Sequence, residues 1–297
     1  MTVTRFAPSP TGNLHLGHAY SALYSERVAK DNGGKFLLRI EDIDYTRCRS
    51  EYIKGIYDDL EWLGIIWEGD VVIQSSRLDL YKDVANKLKA RGLLYPCFCT
   101  RKDIAKSTER TASNGDAIYS GKCLHLTEEE IAEKKSKGLP YSLRLNSKRA
   151  EEETGKLFWN DQLSGIHEVN FDSLGDVVLV RKDIGTSYHL AVTLDDDFQD
   201  VTCVTRGIDL YESTHIHRIL QSLLELNVPE WSHHKLIKGS DGNKYSKSDK
   251  SLTLKELRES GVSAKEIRKE LGFLCKDTFS FLNYRIHITF KINSITK

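Results

Sequence analysis

Arg5-Phe6-Ala7-Pro8-Ser9-Pro10-Thr11-Gly12-Asn13-Leu14-His15-Leu16-Gly17-His18 is the stretch on which the reading of this chain turns. Just before and into it, Thr2 to Phe6 reads as a short buried strand. Pro8, Pro10 and Gly12 then make a rigid loop. From Leu16 to Lys30 apolar residues recur at helical spacing (Leu16, Ala19, Leu23, Val28), and Asn32-Gly33-Gly34 stops the helix. Lys35 to Ile40 is a second strand. The pattern predicts a β-α-β unit with its two strands parallel.

His15 and His18 flank Gly17 at the start of that helix. Imidazoles there can donate to phosphate oxygens, where free N–H groups already favour anions. Gly17 lets an adenine lie flat on the backbone. By itself such a segment also fits an ordinary helix cap; the strand, loop and helix around it point to a nucleotide. Far downstream, Gly239-Ser240-Asp241-Gly242-Asn243 leads into Lys244-Tyr245-Ser246-Lys247-Ser248. Alone this is a solvated basic loop. With the first segment, its lysines become point charges that follow a moving polyphosphate. Together the two predict an enzyme that uses ATP to make an acyl-adenylate.

Arg39-Ile40-Glu41-Asp42-Ile43-Asp44 ends the second strand with three carboxylates. Ligands of open α/β sheets bind beyond the carboxyl ends of strands, where Glu41 can accept from an ammonium. Tyr188 and His189 open a strand-like run to Leu194 before Asp195-Asp196-Asp197, and Arg206-Gly207-Ile208-Asp209 follows. An arginine fork suits a carboxylate, although structural ion pairing explains the segment equally well.

The chain has 297 residues, 39% of them hydrophobic and 29% charged, with zero formal net charge, as in a soluble globular protein of about two domains. No apolar run approaches the ~18 residues of a membrane span, and no secretory signal opens the chain, so a cytoplasmic protein with no membrane partner is expected. Charge balance argues against nucleic-acid binding by bulk electrostatics but allows a local basic face. Further helices are expected near 52–63, 80–91, 213–226, 254–260 and 264–271, and strands near 141–145 and 176–180. Residues 94–174 break the α/β rhythm and read as an insertion. The division expected is 1–93 with 175–237 as a Rossmann-like domain, 94–174 as the insertion, and 238–297 as the lysine loop with a short helical part. The tail from Cys275 to Lys297 lacks helical periodicity.

Of six cysteines, Cys97, Cys99 and Cys123 fall within 27 residues of the insertion. Zinc takes four ligands, usually thiolate or imidazole, and both Tyr119 and His125 lie close enough in sequence to be the fourth. Buried thiols are the plainer alternative. Cys48, Cys203 and Cys275 are isolated and read as core residues.

These motifs together resemble the class I aminoacyl-tRNA synthetases, specifically their glutamyl branch. Arg5 to Gly12, Arg39 to Asp42, Thr205-Arg206-Gly207 and Lys244 to Ser248 are similar to that family's landmarks, in its order, and the match covers roughly Val3 to Ser248. The resemblance implies an α/β fold: a Rossmann-like class I catalytic domain with an inserted zinc-bearing α+β subdomain and a short helical C-terminal part. It further implies glutamate held by Arg5, Ala7, Ser9, Glu41, Tyr188 and Arg206, and ATP held by His15, Gly17, His18 and Lys247. His15, His18, Lys244 and Lys247 would neutralise charge on the phosphates, with Mg2+ accompanying the ATP. One structural Zn2+ would sit on Cys97, Cys99, Tyr119 and Cys123. The branch's long anticodon-binding part has no counterpart after Ser248. The closer resemblance is therefore to its shortened members, which transfer glutamate to queuosine at the wobble position of tRNA(Asp). A minimal enzyme charging tRNA(Glu), or a zinc-knuckle RNA-binding module without catalysis, are the alternatives. Tyr245 departs from the family's usual Met or Leu, and His18 is kept where shortened members can lose it.

Overall fold

Val3 pairs with Lys35 and Phe6 with Leu38, so β1 (Val3–Phe6) and β2 (Lys35–Ile40) are parallel strands joined by α1 (Leu16–Asp31), as the pattern predicts. This is a computed structural model, and it describes residues 1–111, 115, 117–237 and 252–274. In chain order the elements are β1, α1, β2, α2 (Ser50–Trp62), β3 (Val72–Ile73), α3 (Leu78–Ala90), β4 (Leu94–Cys97), α4 (Arg101–Ser107), α5 (Glu128–Ser136), β5 (Ser142–Leu145), α6 (Ser147–Thr154), β6 (Phe158–Asp161), β7 (Gly165–Glu168), α7 (Phe171–Leu174), β8 (Val178–Val180), α8 (Tyr188–Phe198), β9 (Cys203–Gly207), α9 (Ser213–Leu223), β10 (Glu230–His234), α10 (Leu254–Glu259) and α11 (Ala264–Glu270). Lys244, Lys247 and the tail from Cys275 lie outside the described residues.

Two parallel groups meet at β1. β2 joins β1 to β3, with Arg39 opposite Val72, while β9 and β10 pair in parallel from Cys203–Glu230 to Gly207–His234. β1 runs beside β9: the Thr202 amide donates to the Val3 carbonyl at 3.0 Å, and Arg5 donates to the Thr205 carbonyl at 3.1 Å. The strand ends at Phe6, Ile40 and Gly207 therefore open on one crevice. Gly34 permits the close return to β2, because a Cβ there would fall 1.8 Å from the Thr2 carbonyl oxygen.

One core lies under α1, β1 and β2. It includes Leu14, Leu16, Leu23, Leu38, Ile40, Ile56 and Leu60, and it recruits Leu254, Leu257 and Ile267 from α10 and α11. Full burial of each such side chain contributes about 1.5–3 kcal/mol. This docks α10 and α11 against α1.

A second core joins α3, α8 and α9 to β4, β5, β6 and β10 through Leu88, Leu94, Leu145, Trp159, Leu190, Leu220 and Trp231. β4, β5 and β8 form an antiparallel sheet. β6, which lies within 94–174, instead extends the parallel group through Asp161 opposite Trp231, with β7 antiparallel at its edge. Among the described residues no helix is long and apolar enough to cross a membrane.

One expected strand is a helix. Tyr188 to Leu194 lies in α8, capped by Ser187, whose hydroxyl accepts from the Leu190 amide at 3.4 Å. Both faces of the run are buried (Leu190, Ala191, Val192, Thr193, Leu194), which erases the helical periodicity a half-exposed helix would display. Cys48 also departs from expectation: it is half-buried in the loop after β2, whereas Cys203 is a core residue.

Candidate active site

The crevice beyond the strand ends is held together by backbone and by ion pairs. The Glu41 amide donates to the Pro8 carbonyl and the Arg49 amide to the Pro10 carbonyl, each at 3.0 Å, tying the loop after β2 to the proline loop after β1. A cavity of about 100 Å³ lies there, lined by Ser9, Thr11, Glu41, Asp44, Gln74 and Tyr188 among others. Ala7 is half-buried next to it in sequence.

Glu41 is 7% exposed, its Oε1 has no hydrogen-bond partner, and Arg39 Nε stands 3.5 Å away. Burial pushes its carboxyl up to about 7, against the opposing pull of Arg39 and Arg5. A buried carboxylate with an unsatisfied oxygen is suited to an incoming ammonium.

Arg5 does not present a free fork. Its Nε and NH2 donate to the two oxygens of Asp196 at 2.8 and 3.2 Å, and Arg39 NH2 donates to the same carboxylate at 2.6 Å. Burial would raise Asp196, but the two guanidinium groups outweigh it and hold the carboxyl below its ordinary range. The neighbouring Asp195, fully buried, accepts from Gln74, Arg77 and Tyr81 at 2.7–2.8 Å and anchors α8 to α3.

Arg206 is the opposite case. It is 5% exposed, yet its hydrogen-bond partners are neutral: His233 Nε2 at 3.1 Å, His217 Nδ1 at 3.2 Å, Tyr188 OH at 3.3 Å and Thr214 Oγ1 at 2.6 Å. No described carboxylate forms an ion pair with it. An uncompensated buried guanidinium behind Tyr188 suits a carboxylate ligand. His217, His233, Asp161, Thr214 and Asp196 were given no role from sequence. The hints in the sequence were the Asp195-Asp196-Asp197 run and two close histidine pairs, His215/His217 and His233/His234.

His15 is the N-cap of α1. Its Nδ1 accepts from the Gly17 amide at 3.1 Å, and His18 Nδ1 accepts from the His15 amide at 3.2 Å, a capping box made of imidazoles. The rings lie 3.8 Å apart between centroids, tilted at 31° to one another. With both Nδ1 atoms accepting, the neutral rings carry their protons on Nε2 as donors. A Cβ on Gly17 would come within 3.0 Å of the His15 ring, and the first turn holds no acid to oppose an anion. Thr253 bridges to His15, and the Leu254 amide donates to the Leu14 carbonyl at 2.8 Å. The described residues on both sides of 238–251 thus share the core beside this helix end: Ile237 before, Leu254 after.

Cys97, Cys99 and Cys123 bring their sulfurs within 4.8 Å of one another, and the cluster could hold a metal ion. Tyr119 OH lies 3.9 Å from Cys99 Sγ and accepts from the Cys123 amide at 2.7 Å. His125 is exposed and not part of the cluster. Three thiols are donors of the kind zinc takes, with Tyr119 OH the nearest further oxygen.

Comparison with known proteins adds to this geometry. A family model described as tRNA synthetases class I (E and Q), catalytic domain, matches residues 1–280. A protein named glutamyl-Q tRNA(Asp) synthetase from Rhodobacter capsulatus is 44% identical over 280 residues, covering 91% of this chain and 99% of that protein. A glutamate–tRNA ligase of Coprothermobacter proteolyticus is 38% identical over 94% of this chain, but the chain spans only 57% of its length. The crystal structure of a glutamate tRNA ligase from Elizabethkingia meningosepticum in complex with its amino acid superposes with a TM-score of 0.75 at 29% identity, over 92% of this chain and 60% of that one. On the family match across nearly its whole length, supported by the parallel sheet and the crevice at its strand ends, the chain belongs to the class I tRNA synthetases of the E and Q group, matching their catalytic domain.

Proposed function

We propose that the protein activates glutamate with ATP as glutamyl-adenylate and transfers the glutamyl group to queuosine at the wobble position of tRNA(Asp). The observation that supports activation of an acidic amino acid is an uncompensated guanidinium, Arg206, bonded to Tyr188, which lines one cavity together with the buried carboxylate Glu41. Glu41 takes the ammonium, Arg206 and Tyr188 take a carboxylate, and Ser9 and Ala7 line the approach. Arg5 acts from behind, neutralising Asp196. His15, Gly17 and His18 receive the nucleotide at the start of α1. The sequence assigns Lys244 and Lys247 to the phosphates, outside the described residues. The α-carboxylate attacks the α-phosphorus in line, pyrophosphate leaves, and the cationic groups stabilise the charge that develops. Mg2+ would accompany ATP mainly through phosphates and water.

The queuosine acceptor is supported by the Rhodobacter relative, which this chain matches over 99% of its length, whereas the glutamate–tRNA ligase relative is matched over 57%. We also propose one structural Zn2+ on Cys97, Cys99, Cys123 and Tyr119, within an insertion at 94–174 of a catalytic domain formed by 1–93 and 175–237, followed by the part from 238 onwards. ATP–pyrophosphate exchange with glutamate in the absence of tRNA, followed by transfer to queuosine-containing tRNA(Asp), tests the reading. Efficient charging of tRNA(Glu) with no transfer to queuosine tRNA(Asp) would replace it with a minimal glutamyl-tRNA synthetase.

A further inference from the structure

We infer that His217 and His233, with Asp161 behind His233, are positioning residues: two neutral imidazoles in opposite tautomers that fix the Arg206 guanidinium while leaving its charge for the carboxylate of the amino acid. This rests on the glutamate reading above.

A guanidinium has donors only, so any ring nitrogen facing it must present a bare lone pair. Arg206 Nε faces His233 Nε2 at 3.1 Å. The His233 proton therefore sits on Nδ1, where Asp161 Oδ2 accepts it at 2.7 Å. Asp161 is itself fixed, accepting from the amides of His233, Leu163 and Ser164 at 2.9–3.1 Å. Arg206 NH1 faces His217 Nδ1 at 3.2 Å, so His217 carries its proton on Nε2 and donates to His189 Nδ1 at 3.2 Å. Thr214 Oγ1 takes NH2 at 2.6 Å and closes the set.

The choice of imidazole has a consequence. A carboxylate at either histidine position would bind the guanidinium equally well but neutralise it, competing with the substrate from inside the protein. Arg5 shows that outcome, with Asp196 on its fork. Neutral acceptors supply direction without charge. Burial, reinforced by Arg206, holds His233 and His217 below the ordinary imidazole value, in keeping with their neutrality.

The tautomers are testable without substrate. In protein labelled with 15N-histidine, ring spectra at pH 7 are expected to show His233 protonated on Nδ1 and His217 on Nε2. An imidazolium at either position, or the reversed tautomer, overturns the inference. In pyrophosphate exchange, His233→Leu is expected to raise the KM for glutamate by at least about tenfold, the scale of one lost hydrogen bond to a charged group. The KM for ATP should stay within about threefold. His233→Gln, whose amide oxygen can stand in for Nε2, should recover most of the loss. If the leucine variant does not fold, the glutamine variant and the spectra decide. A glutamate KM unchanged in His233→Leu overturns the positioning role alone. Wild-type protein with no glutamate-dependent exchange overturns the glutamate reading, and with it the carboxylate assigned to Arg206.

Discussion

Replacing Asp196 with asparagine tests the electrostatic frame of the site. The carboxylate, on a residue 5% exposed, is shared by Arg5 (4% exposed) and Arg39 (fully buried), at 2.8 and 2.6 Å. Asparagine is nearly isosteric, so no cavity forms, but its amide removes the charge and can turn N–H donors toward two guanidinium groups that cannot accept. Breaking a buried pair from one side costs about 3–5 kcal/mol, because a charge is left stranded. Here two are. At roughly 2–4 °C of melting temperature per kcal/mol for a domain of this size, the fall should be about 6 to 20 °C. Thermal unfolding followed by circular dichroism measures it. Asp31→Asn serves as comparator: its pair with Arg27 lies on the surface of α1, and an exposed pair contributes at most about 1 kcal/mol. The glutamate KM should also rise, since Arg5 and Arg39 lose the group that orients them beside Glu41. An Asp196→Asn protein that melts within about 2 °C of wild type and keeps its glutamate KM would refute the reasoning.

Glu41→Gln should abolish selective recognition of the ammonium yet raise stability above pH 7, because burial makes the ionised carboxylate costly; a variant less stable than wild type at pH 8 contradicts this. On the proposed function only ionised Glu41 would hold the ammonium, and burial pushes its carboxyl up to about 7, so the glutamate KM should climb about tenfold per pH unit below that value. A KM constant from about pH 5.5 to 8 would count against it. His215 and His233 titrate at about 4 when folded, against about 6.5 unfolded. The unfolded chain therefore takes up protons first, and stability falls as pH drops from about 6.5 toward 4, by at most ~1.4 kcal/mol per unit per histidine. Denaturation midpoints that stay level between about pH 7 and 5 would exclude that linkage. Finally, protein purified without chelator should carry one zinc per chain and a Cys97→Ser/Cys99→Ser variant none, by elemental analysis; full retention in the variant would move the metal elsewhere.

The local parts of this protein were legible from sequence. Strand, proline loop and capped helix follow one another within about thirty residues, and each has its own signal in propensity, turn chemistry or capping. That Glu41 stands just past a strand end was legible for the same reason; that it alone of the three acids there is left with an unsatisfied buried oxygen was not. What escaped was set by partners far along the chain. Tyr188 to Leu194 read as a strand because α8 is buried on both faces, and burial on all sides removes the period that separates helix from strand. Arg5 and Arg206 looked equivalent, two arginines near strand ends. Only the fold gives one an aspartate and the other histidines. Asp161 gave no warning at all, since its partner His233 lies 72 positions away.

The pair between Arg5 and Asp196 spans 191 positions, and that between Arg39 and Asp196 spans 157. During synthesis both arginines therefore leave the ribosome long before their counterion exists. The β1-α1-β2 unit can assemble locally, but burying its two cations must wait for α8, and the Arg206 cradle waits longer still for β10. Loop closure over such distances is slow, and half-built sheets are targets for chaperones. Ribosome-bound chains halted before residue 190 should thus remain protease-sensitive through β1 and β2, and amino-acid recognition should arise in a single late step of folding.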